Sequence, residues 1–336
     1  MRIARFLIIG FITIMLLTSV SIAHAATKVT YADFRISYNS AAYVAKSKGF
    51  FKAEGINLDV QRIKSGKFSA IFLSTNQAEI ALLNAKDMLG LRKHGKNMKW
   101  VYGVSNRMTM DFVMNKGVAN KRGLSRKIPL MDRYKGLKGL KIGITRRGAV
   151  TDLYTRYYLK KAGLDPDRDA TIIPIGGGTN LLAALRTGQI DGFMLSPPRP
   201  GTAVRGGFGK IIIKSTAGDV PEFKSFAYSM YAVRESWLKD NANTLRAYIR
   251  ALKKGVNYLH DNLDESVDLL KKNWFKKAKK TVLKDTLKDF LPALPRDGKL
   301  RKAAIANMVN TMHAGGVLKE KLDLREGYLW TNEYNK

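Results

Sequence analysis

Two short stretches of the chain alternate between apolar and polar positions with the period of two that is typical of a β-strand. In residues 56–60, three aliphatic residues are separated by Asn57 and Asp59, and in residues 140–144 the apolar positions are again every second one. Another strand is predicted over residues 29–34. A polar cluster follows it, and a helix of small residues is predicted from Ala41 to a stop at Gly49. The pattern indicates a strand-helix-strand unit.

The same order repeats in the middle of the chain. After the strand at 140–144 and a turn at 145–151 come a helix (TDLYTRYYLKKAGL), a strand (ATIIPI), a turn (GGGTN), a short helix (LLAALRTG) and another strand (IDGFML). Asp152 lies in the first turn of the long helix, where the helix dipole favours an acidic side chain. Alternating strands and helices predict an α/β fold with mostly parallel sheets covered on both faces. A chain of 336 residues suits two such domains.

Residues 1–25 have the order of a secretory signal peptide. Arg2 and Arg5 precede an apolar run over residues 6–17, and Ala23 and Ala25 provide small residues at a cleavage site after Ala25. A retained membrane anchor is the less favoured alternative, because a spanning helix needs roughly 20 apolar residues. The chain has no cysteine, so it has neither disulfides nor a lipid attachment site at the signal junction. We therefore expect a protein of the bacterial periplasm.

The strongest anomaly of the composition is a net charge of +32, which becomes +30 without the two arginines of residues 1–25. Nucleic-acid binding would concentrate this charge in a stripe or a tail. Here it is spread over both halves of the chain, so we expect no nucleic-acid partner. The densest lysine segment, residues 271–291, has apolar residues at helical spacing and is predicted to be a docked helix with a solvated face. An alternative is a cationic surface or polyanion-binding protein without a transport role, and a membrane-surface role for this segment also stays open.

The sequence offers little for an enzyme. Outside residues 1–25 the histidines are His94, His260 and His313, which lack metal-ligand spacing, and there is no cysteine nucleophile or G-x-S-x-G turn. The glycine run at 176–178 is not followed by the Lys-Ser/Thr pair of a phosphate loop, so it is interpreted as a tight turn. We expect no catalytic residue, no metal and no cofactor.

Three stretches of the chain are informative together: YNSAAYVAKSKGFFKAEGINLDV, LKGLKIGITRRGAVTDLYTRYYLKKAGLDPD and LLAALRTGQIDGFMLSPP. In this order they resemble the substrate-binding proteins of bacterial nitrate, taurine, sulfonate and pyrimidine-precursor importers, the SsuA/THI5-like (NitT/TauT) family. The resemblance implies a two-domain, type II periplasmic-binding-protein-like fold. It also implies a monomeric receptor that closes on a small polar or anionic ligand and delivers it to an ABC permease in the inner membrane. The family's pyrimidine-forming enzymes use a cysteine-rich motif that this chain lacks.

The resemblance also supplies the domain organisation, which periodicity alone does not give. It implies a first domain made of residues 26–112 and 225–336, the second segment mostly helical. A second domain, residues 113–224, is inserted between them. The two connections would then serve as a hinge, so that the domains close around a ligand.

The start of a helix presents unsatisfied backbone N–H groups and a partial positive charge, which suit an anion or an electron-rich group. Two predicted turns lead into such helices, and the resemblance places them on opposite walls of one cleft. The first carries Tyr38, Asn39 and Ser40. An alternative for Asn39 or Ser40 is that it only caps the helix. The second carries Arg146, Gly148 and Ala149, and Arg146 is either an anion clamp or solvated.

Three more candidates lie at or near other strands. Asn84 follows the apolar AEIALL strand. Ser196 ends IDGFML where the resemblance implies a turn that lines the cleft, and the alternative is that the two prolines after it only rigidify the turn. Tyr228 lies near the presumed hinge. The family usually has a hydroxylated residue where this chain has Ala149, and Gly and Asp where it has Asn76 and Glu79. These departures weaken any transfer of sulfonate or nitrate specificity.

Overall fold

The structure is a computed structural model that describes residues 26–64 and 66–336. The predicted signal peptide lies outside the described residues. The strands are β1 (Thr27–Asp33), β2 (Ile56–Arg62), β3 (Ile80–Leu82), β4 (Met98–Ser105), β5 (Asp111–Asn115), β6 (Lys141–Ile144), β7 (Thr171–Pro174), β8 (Gly192–Leu195), β9 (Gly209–Lys214) and β10 (Ser229–Arg234). The helices are α1 (Ser40–Ser47), α2 (Phe50–Ala53), α3 (Gly66–Ser74), α4 (Ala85–Lys93), α5 (Lys116–Lys121), α6 (Leu130–Lys135), α7 (Val150–Lys161), α8 (Gly178–Arg186), α9 (Arg199–Arg205), α10 (Glu235–Asp240), α11 (Ala242–Asp261), α12 (Leu263–Asn273), α13 (Lys280–Phe290) and α14 (Lys302–Ala314).

The strands form two mixed sheets, which define two lobes. The sheet of the first lobe has the order β2-β1-β3-β10-β4, and the sheet of the second lobe has the order β7-β6-β8-β5-β9. In the first, β1 pairs in parallel with β2 and β3, whereas β10 is antiparallel to β3 and β4. In the second, β6 pairs in parallel with β7 and β8, whereas β5 is antiparallel to β8 and β9. The predicted α/β fold class with two sheets is confirmed.

The sheets are less parallel than the sequence pattern indicated, and the chain's path explains the difference. The chain leaves the first sheet at β4 and enters the second directly at β5, without a helix that would reverse its direction. It returns after β9 and enters the first sheet at β10. A strand that arrives from the other lobe runs opposite to its neighbours, so each sheet contains one reversed strand. The domain boundaries at residues 112/113 and 224/225 stay a prediction.

Each sheet is covered by helices on both faces, because successive side chains of a strand point to opposite faces. In β1, Tyr31 belongs to the core that contains α1 and α11, whereas Ala32 belongs to the core with α3 and α4. In β5, Val113 packs with α8 and α9, and Phe112 lies in the core on the other face. The apolar positions that alternate in the sequence therefore supply two cores per sheet.

One core continues from one lobe into the other. It includes residues of the first sheet such as Trp100 and residues of the second lobe such as Ile142. Helix α14 belongs to it through Ile305, Met308 and Met312, and α14 also contacts α7 of the second lobe. The connections between the lobes are therefore packed into a shared apolar core.

The lysine-rich segment forms the end of α12, a short connection and α13. Leu283, Leu287 and Phe290 of α13 are buried, and most of the lysines are exposed. The prediction of a docked helix with a solvated face is confirmed. Across residues 26–64 and 66–336, we find no helix with the length and apolar character needed to span a bilayer.

Asp111, the first residue of β5, has a buried carboxyl. Its oxygens accept hydrogen bonds from the backbone N–H and the hydroxyl of Thr216, each at 3.0 Å. Burial raises the pKa of Asp111 to about 7, although these bonds and the nearby Lys214 lower it, while Asp289 adds to the increase. The native state therefore holds this proton more tightly than the unfolded chain does.

We predict that Asp111→Asn removes one pH dependence of folding. The raised pKa stabilises the native wild type below about pH 4, the unfolded value, and that contribution is lost as the pH rises through about 7. Between pH 4 and pH 8, the wild type should lose on the order of 2–4 kcal/mol of unfolding free energy relative to Asp111→Asn. Urea denaturation of both proteins across this range measures the difference. Parallel pH profiles would contradict it.

Candidate functional site

The topology brings two sets of loops to one place. The carboxyl ends of β1, β3 and β4 lie at one edge of the first sheet, together with the start of the reversed strand β10. The carboxyl ends of β6, β7, β8 and β9 lie at one edge of the second sheet, together with the start of β5. In open α/β sheets ligands bind beyond these ends. The predicted site residues lie in loops or turns at these two edges.

The residues between the lobes form a cluster of hydroxyl groups beside aromatic rings. The Ser196 Oγ of the second lobe lies 3.2 Å from the Thr109 Oγ1 and 3.5 Å from the Tyr228 hydroxyl. The Tyr228 ring packs edge-on against the Tyr38 ring, and Tyr38 packs edge-on against Phe290 of α13. Three predicted residues, Tyr38, Ser196 and Tyr228, are thus brought together.

Both phenols of this cluster are hydrogen-bond donors at physiological pH. Burial raises the pKa of Tyr38 well above its usual value, and the nearby Tyr228 raises it further. Burial also raises the pKa of Tyr228, against the lowering effect of its hydrogen bonds with Ser196 and Thr109. The cluster therefore offers neutral O–H groups that can donate to a ligand oxygen.

Asn39 points into the first lobe. Its Nδ2 donates to Asp33 Oδ1 at 2.7 Å, and the Tyr43 hydroxyl donates to Asp33 Oδ2 at 2.7 Å. The Tyr231 hydroxyl donates to Asn39 Oδ1 at 3.4 Å. Burial raises the pKa of Asp33, whereas its bonds with Tyr43 and Asn39 lower it. Asn39 therefore holds the Tyr38 turn onto the lobe, and its amide is already engaged at both ends.

Ser40 begins α1 and is fully buried. Its Oγ has no hydrogen-bond partner among the described residues. Asn39 precedes it at the N-cap position without a side-chain capping bond. Neither residue is a side-chain cap of α1, so the capping alternative for this turn is wrong. Ser40 therefore places a buried hydroxyl without a partner at the positive end of a helix.

The second turn is built around Gly148. Its φ of +68° favours glycine, and its N–H donates to Asp152 Oδ2 at 2.6 Å. Its carbonyl accepts a hydrogen bond from the Lys86 Nζ of the first lobe at 2.7 Å. The turn therefore approaches the start of α4 across the space between the lobes.

The neighbours of Gly148 differ in their surroundings. Ala149 is the N-cap of α7 and forms no side-chain capping bond. Arg146 is exposed. The hydroxyls of Thr145 and Thr151 lie 2.9 Å apart beside this turn, and Thr151 also accepts from the Thr145 N–H. Thus hydroxyl groups flank the turn although position 149 has none.

Asn84 is the N-cap of α4. Its Oδ1 accepts from the Asp87 N–H at 3.0 Å, and its Nδ2 donates to Asp87 Oδ2 at 2.6 Å. These bonds position α4, whose second residue, Lys86, reaches Gly148. Asn84 therefore caps α4 and in this way positions Lys86, which contacts the opposite wall of the cleft.

Helix α13 connects the lobes on another side of the cleft. Its apolar face packs in the first lobe, and Asp289 Oδ1 lies 2.9 Å from Lys214 Nζ of the second lobe. One turn earlier, Asp285 pairs with Arg205 at 3.7 Å. With the Lys86–Gly148 bond, these contacts hold the two cleft walls together.

Sequence reasoning missed several of these residues. Thr109, Lys86 and Phe290 contact the predicted site residues, but none lies in a turn before a predicted helix. The only available signal was position: Thr109 follows WVYGV on the crossing segment, and Lys86 follows Asn84 by two residues.

The described residues also contain no group of three or more metal-ligating side chains.

Comparison with known proteins agrees with this geometry. The profile of the NMT1-like family matches residues 23–270, which is most of the chain. The chain belongs to the NMT1-like family. This membership and the relatives below confirm the resemblance drawn from the three sequence stretches.

Proteins similar to this NMT1-like chain include several that are named as binding proteins. It is 24% identical over 248 residues to the putative binding protein YtlA of Bacillus subtilis, covering 73% of the chain and 67% of YtlA. The aliphatic sulphonate-binding protein SsuA of Escherichia coli has a TM-score of 0.69 at 14% identity, covering 93% of this chain and all of SsuA. The nitrate-binding protein NrtA of Synechocystis has a TM-score of 0.63 at 17% identity, covering 78% of this chain and 70% of NrtA. These similarities establish the periplasmic-binding-protein fold.

The match to curated cyanobacterial relatives is shorter. It spans 25% of the nitrate/nitrite binding protein NrtA of Nostoc and 35% of the bicarbonate transport protein CmpC of Synechococcus elongatus. The chain thus spans about a quarter to a third of these proteins.

We predict that two substitutions of buried tyrosines by phenylalanine differ in their effect on stability. Tyr43→Phe removes a hydrogen bond to the buried Asp33 and should lower the unfolding free energy by about 1.5–3 kcal/mol. Tyr248→Phe removes a buried hydroxyl that has no partner among the described residues, so it should be neutral or stabilising. Urea denaturation of both variants provides the measurement, with Tyr248→Phe as the matched control. Equal destabilisation would contradict the assigned hydrogen bond.

Proposed function

We propose that the protein is the periplasmic solute-binding component of an ABC importer. The observation that carries this proposal is the cluster of Thr109, Ser196 and Tyr228, which joins hydroxyl groups from the second lobe and the crossing segments beside the Tyr38 ring. It lies where the strand ends of both sheets meet, which is the usual ligand position of this architecture.

The chemistry of the cleft favours a small polar or anionic ligand. The phenols of Tyr38 and Tyr228 stay protonated and donate, and the buried Ser40 hydroxyl lies at the positive end of α1. On the second lobe, Arg146 and the turn at Gly148 and Ala149 precede α7, whose N-terminus also favours negative charge. The edge-on ring pair adds an apolar wall. A sulfonate, nitrate, an aromatic acid or a pyrimidine would fit such a set of donors.

We infer that the ligand is enclosed by closure of the two lobes. The crossing segments between β4 and β5 and before β10 are the hinge in this proposal. The contacts of Lys86, Asp285 and Asp289 with the other lobe would then belong to the closed form. A micromolar receptor needs about −8 kcal/mol, so a few hydrogen bonds and one apolar contact suffice.

The partners follow from the same proposal. A closed, ligand-loaded receptor would deliver its cargo to an ABC permease in the inner membrane and work as a monomer. Relatives of the chain carry names that include a nitrate import and a bicarbonate transport ATP-binding protein, which supports an importer context. Export would depend on the predicted signal peptide.

The alternative is a cationic surface or polyanion-binding protein, which the charge of +30 favours. Ionic strength separates the two functions. Binding of a small molecule in a buried cleft should weaken modestly with salt, whereas polyanion binding should fall by orders of magnitude.

The proposal is tested by thermal-shift measurements with sulfonates, nitrate, aromatic acids and pyrimidines. A ligand that binds only the native state raises the melting temperature with its concentration. We expect a saturable shift with one of these classes. A folded protein that responds to none of them, and that binds a polyanion, would overturn the receptor function.

We predict that Tyr228→Phe weakens the binding of the ligand identified by that screen. It removes one donor and keeps the ring that packs against Tyr38, so the loss should be about 1 kcal/mol, or roughly fivefold in Kd. Isothermal titration calorimetry measures the Kd. The matched control is Tyr328→Phe, which changes an exposed tyrosine outside the cleft and should leave Kd unchanged. Equal Kd values for Tyr228→Phe and the wild type would exclude this hydroxyl from the site.

We predict that Asp289→Asn lowers the affinity for the same ligand in a salt-dependent manner. The variant loses the partly exposed ion pair with Lys214, which would favour closure by less than about 1 kcal/mol. The Kd should rise up to about fivefold at low salt and approach the wild-type value at high salt. Asp268→Asn is the control, because it removes the same charge from a pair within the first lobe, with Lys280. If the control has the same effect, the change comes from net charge and not from closure.

A further inference from the structure

Four exposed lysines lie together where α12 ends and α13 begins. They are Lys272, Lys276, Lys277 and Lys279, here called the α12–α13 lysine surface. Their ammonium groups form no ion pair or hydrogen bond with any described residue. The importer function proposed above uses none of them.

The acidic residues of the two helices are already engaged. Within the first lobe, Asp264 pairs with Lys284, Asp268 with Lys280, and Glu265 with Lys48. Asp285 and Asp289 pair with the second lobe, as described above. No acidic side chain on α12 or α13 remains to neutralise the α12–α13 lysine surface. Its positive charge is therefore directed outward.

The connection that carries these lysines is held in place by aromatic packing. The Trp274 ring stacks on the Tyr43 ring at 4.3 Å, and its Nε1 donates to Ser47 Oγ at 3.0 Å. Phe275 packs edge-on against Tyr43, and the backbone N–H groups of both residues donate to Leu270 O. The two aromatic side chains are thus half-buried against the first lobe. The lysines are presented from an ordered base.

We propose that the α12–α13 lysine surface is a docking site for anionic phospholipid headgroups. A charged bilayer attracts clustered lysines, and each lysine near the surface strengthens binding by about fivefold. The exposed large apolar side chains of the described chain all lie outside residues 263–290, so the contact is electrostatic and peripheral, without insertion.

A lipid surface fits this patch better than a nucleic acid does. Residues 263–290 contain no arginine, the residue that binds phosphates and base edges in a bidentate manner. Trp274 and Phe275, the two aromatic residues beside the lysines, are half-buried and pack against Tyr43, so neither is a fully exposed ring for base stacking. Mobile lysine ammonium groups suit the diffuse charge of headgroups.

The position of the patch leaves the cleft open. Phe290 at the end of α13 contacts Tyr38, whereas the lysines lie at its beginning, about 15 Å away along a helix of this length. Membrane docking and ligand binding therefore use separate ends of one helix. The docking proposal does not depend on the receptor function. An experiment that contradicts one of the two proposals leaves the other intact.

The test is co-sedimentation of the mature chain with lipid vesicles at low and high salt. We expect binding to vesicles of phosphatidylglycerol mixed with phosphatidylcholine, no binding to pure phosphatidylcholine, and loss of binding at high salt. Replacement of Lys272, Lys276, Lys277 and Lys279 by Gln should reduce the partition coefficient by at least about a hundredfold. These side chains have no partner within the described chain, so the variant should keep the wild-type melting temperature.

The matched control replaces Lys127, Lys135, Lys239 and Lys321 by Gln. These lysines are also exposed, and the control removes the same net charge from scattered positions. It should reduce vesicle binding by less than about tenfold. Equal losses for the two variants would mean that diffuse net charge binds the membrane, and would overturn the docking site. Tighter binding to a DNA duplex than to vesicles, abolished by the first variant, would overturn it in favour of a nucleic-acid surface.

Discussion

The two crossings of the chain between the sheets are the constraint on which the rest of the molecule depends. Because β4 runs directly into β5 and the chain returns at β10, each sheet contains one strand that arrives from the other lobe. This connection turns the strand ends of both sheets toward the same space. Hydroxyl groups from Thr109, Ser196 and Tyr228 can meet there only because the crossings hold the edges together.

The wall formed by Tyr38 depends on a buried carboxylate. Asp33 ends β1 and holds Asn39 and Tyr43, and Tyr43 in turn stacks on Trp274. A continuous line of contacts therefore leads from the cleft wall to the connection between α12 and α13. Two neighbouring residues of the turn have different roles. Asn39 fixes the turn to the first lobe, and Tyr38 packs toward the cleft.

The sequence predicted the regular elements well, because they depend on local periodicity. The strands at 56–60 and 140–144, the stop at Gly49 and the docked lysine-rich helix are present. It predicted mostly parallel pairing, whereas half of the strand pairs are antiparallel. The direction of pairing depends on how the chain passes between the lobes, and this path does not change the hydrophobic periodicity of a strand.

The contrast between local pattern and long-range contacts also explains which residues of the candidate site could be predicted. Tyr38 and Ser196 were predicted because each follows a strand that can be recognised from pattern, whereas Tyr228 was predicted from its place near the hinge that the resemblance implies. Whether a polar side chain turns outward or inward also depends on partners far along the chain, as with Asn39 and Tyr231. Lys86 and Phe290 reach the cleft from helices of the first lobe, so no local pattern marks them.

The packing of α14 has a consequence for the evolution and engineering of the protein. The second sheet is built from one uninterrupted stretch of chain, which suggests a module that could be excised. However, Ile305, Met308 and Met312 of α14 complete a core that this stretch shares with the first lobe. An excised second lobe would expose that apolar face to water. The second lobe therefore depends on α14 for the burial of part of its core.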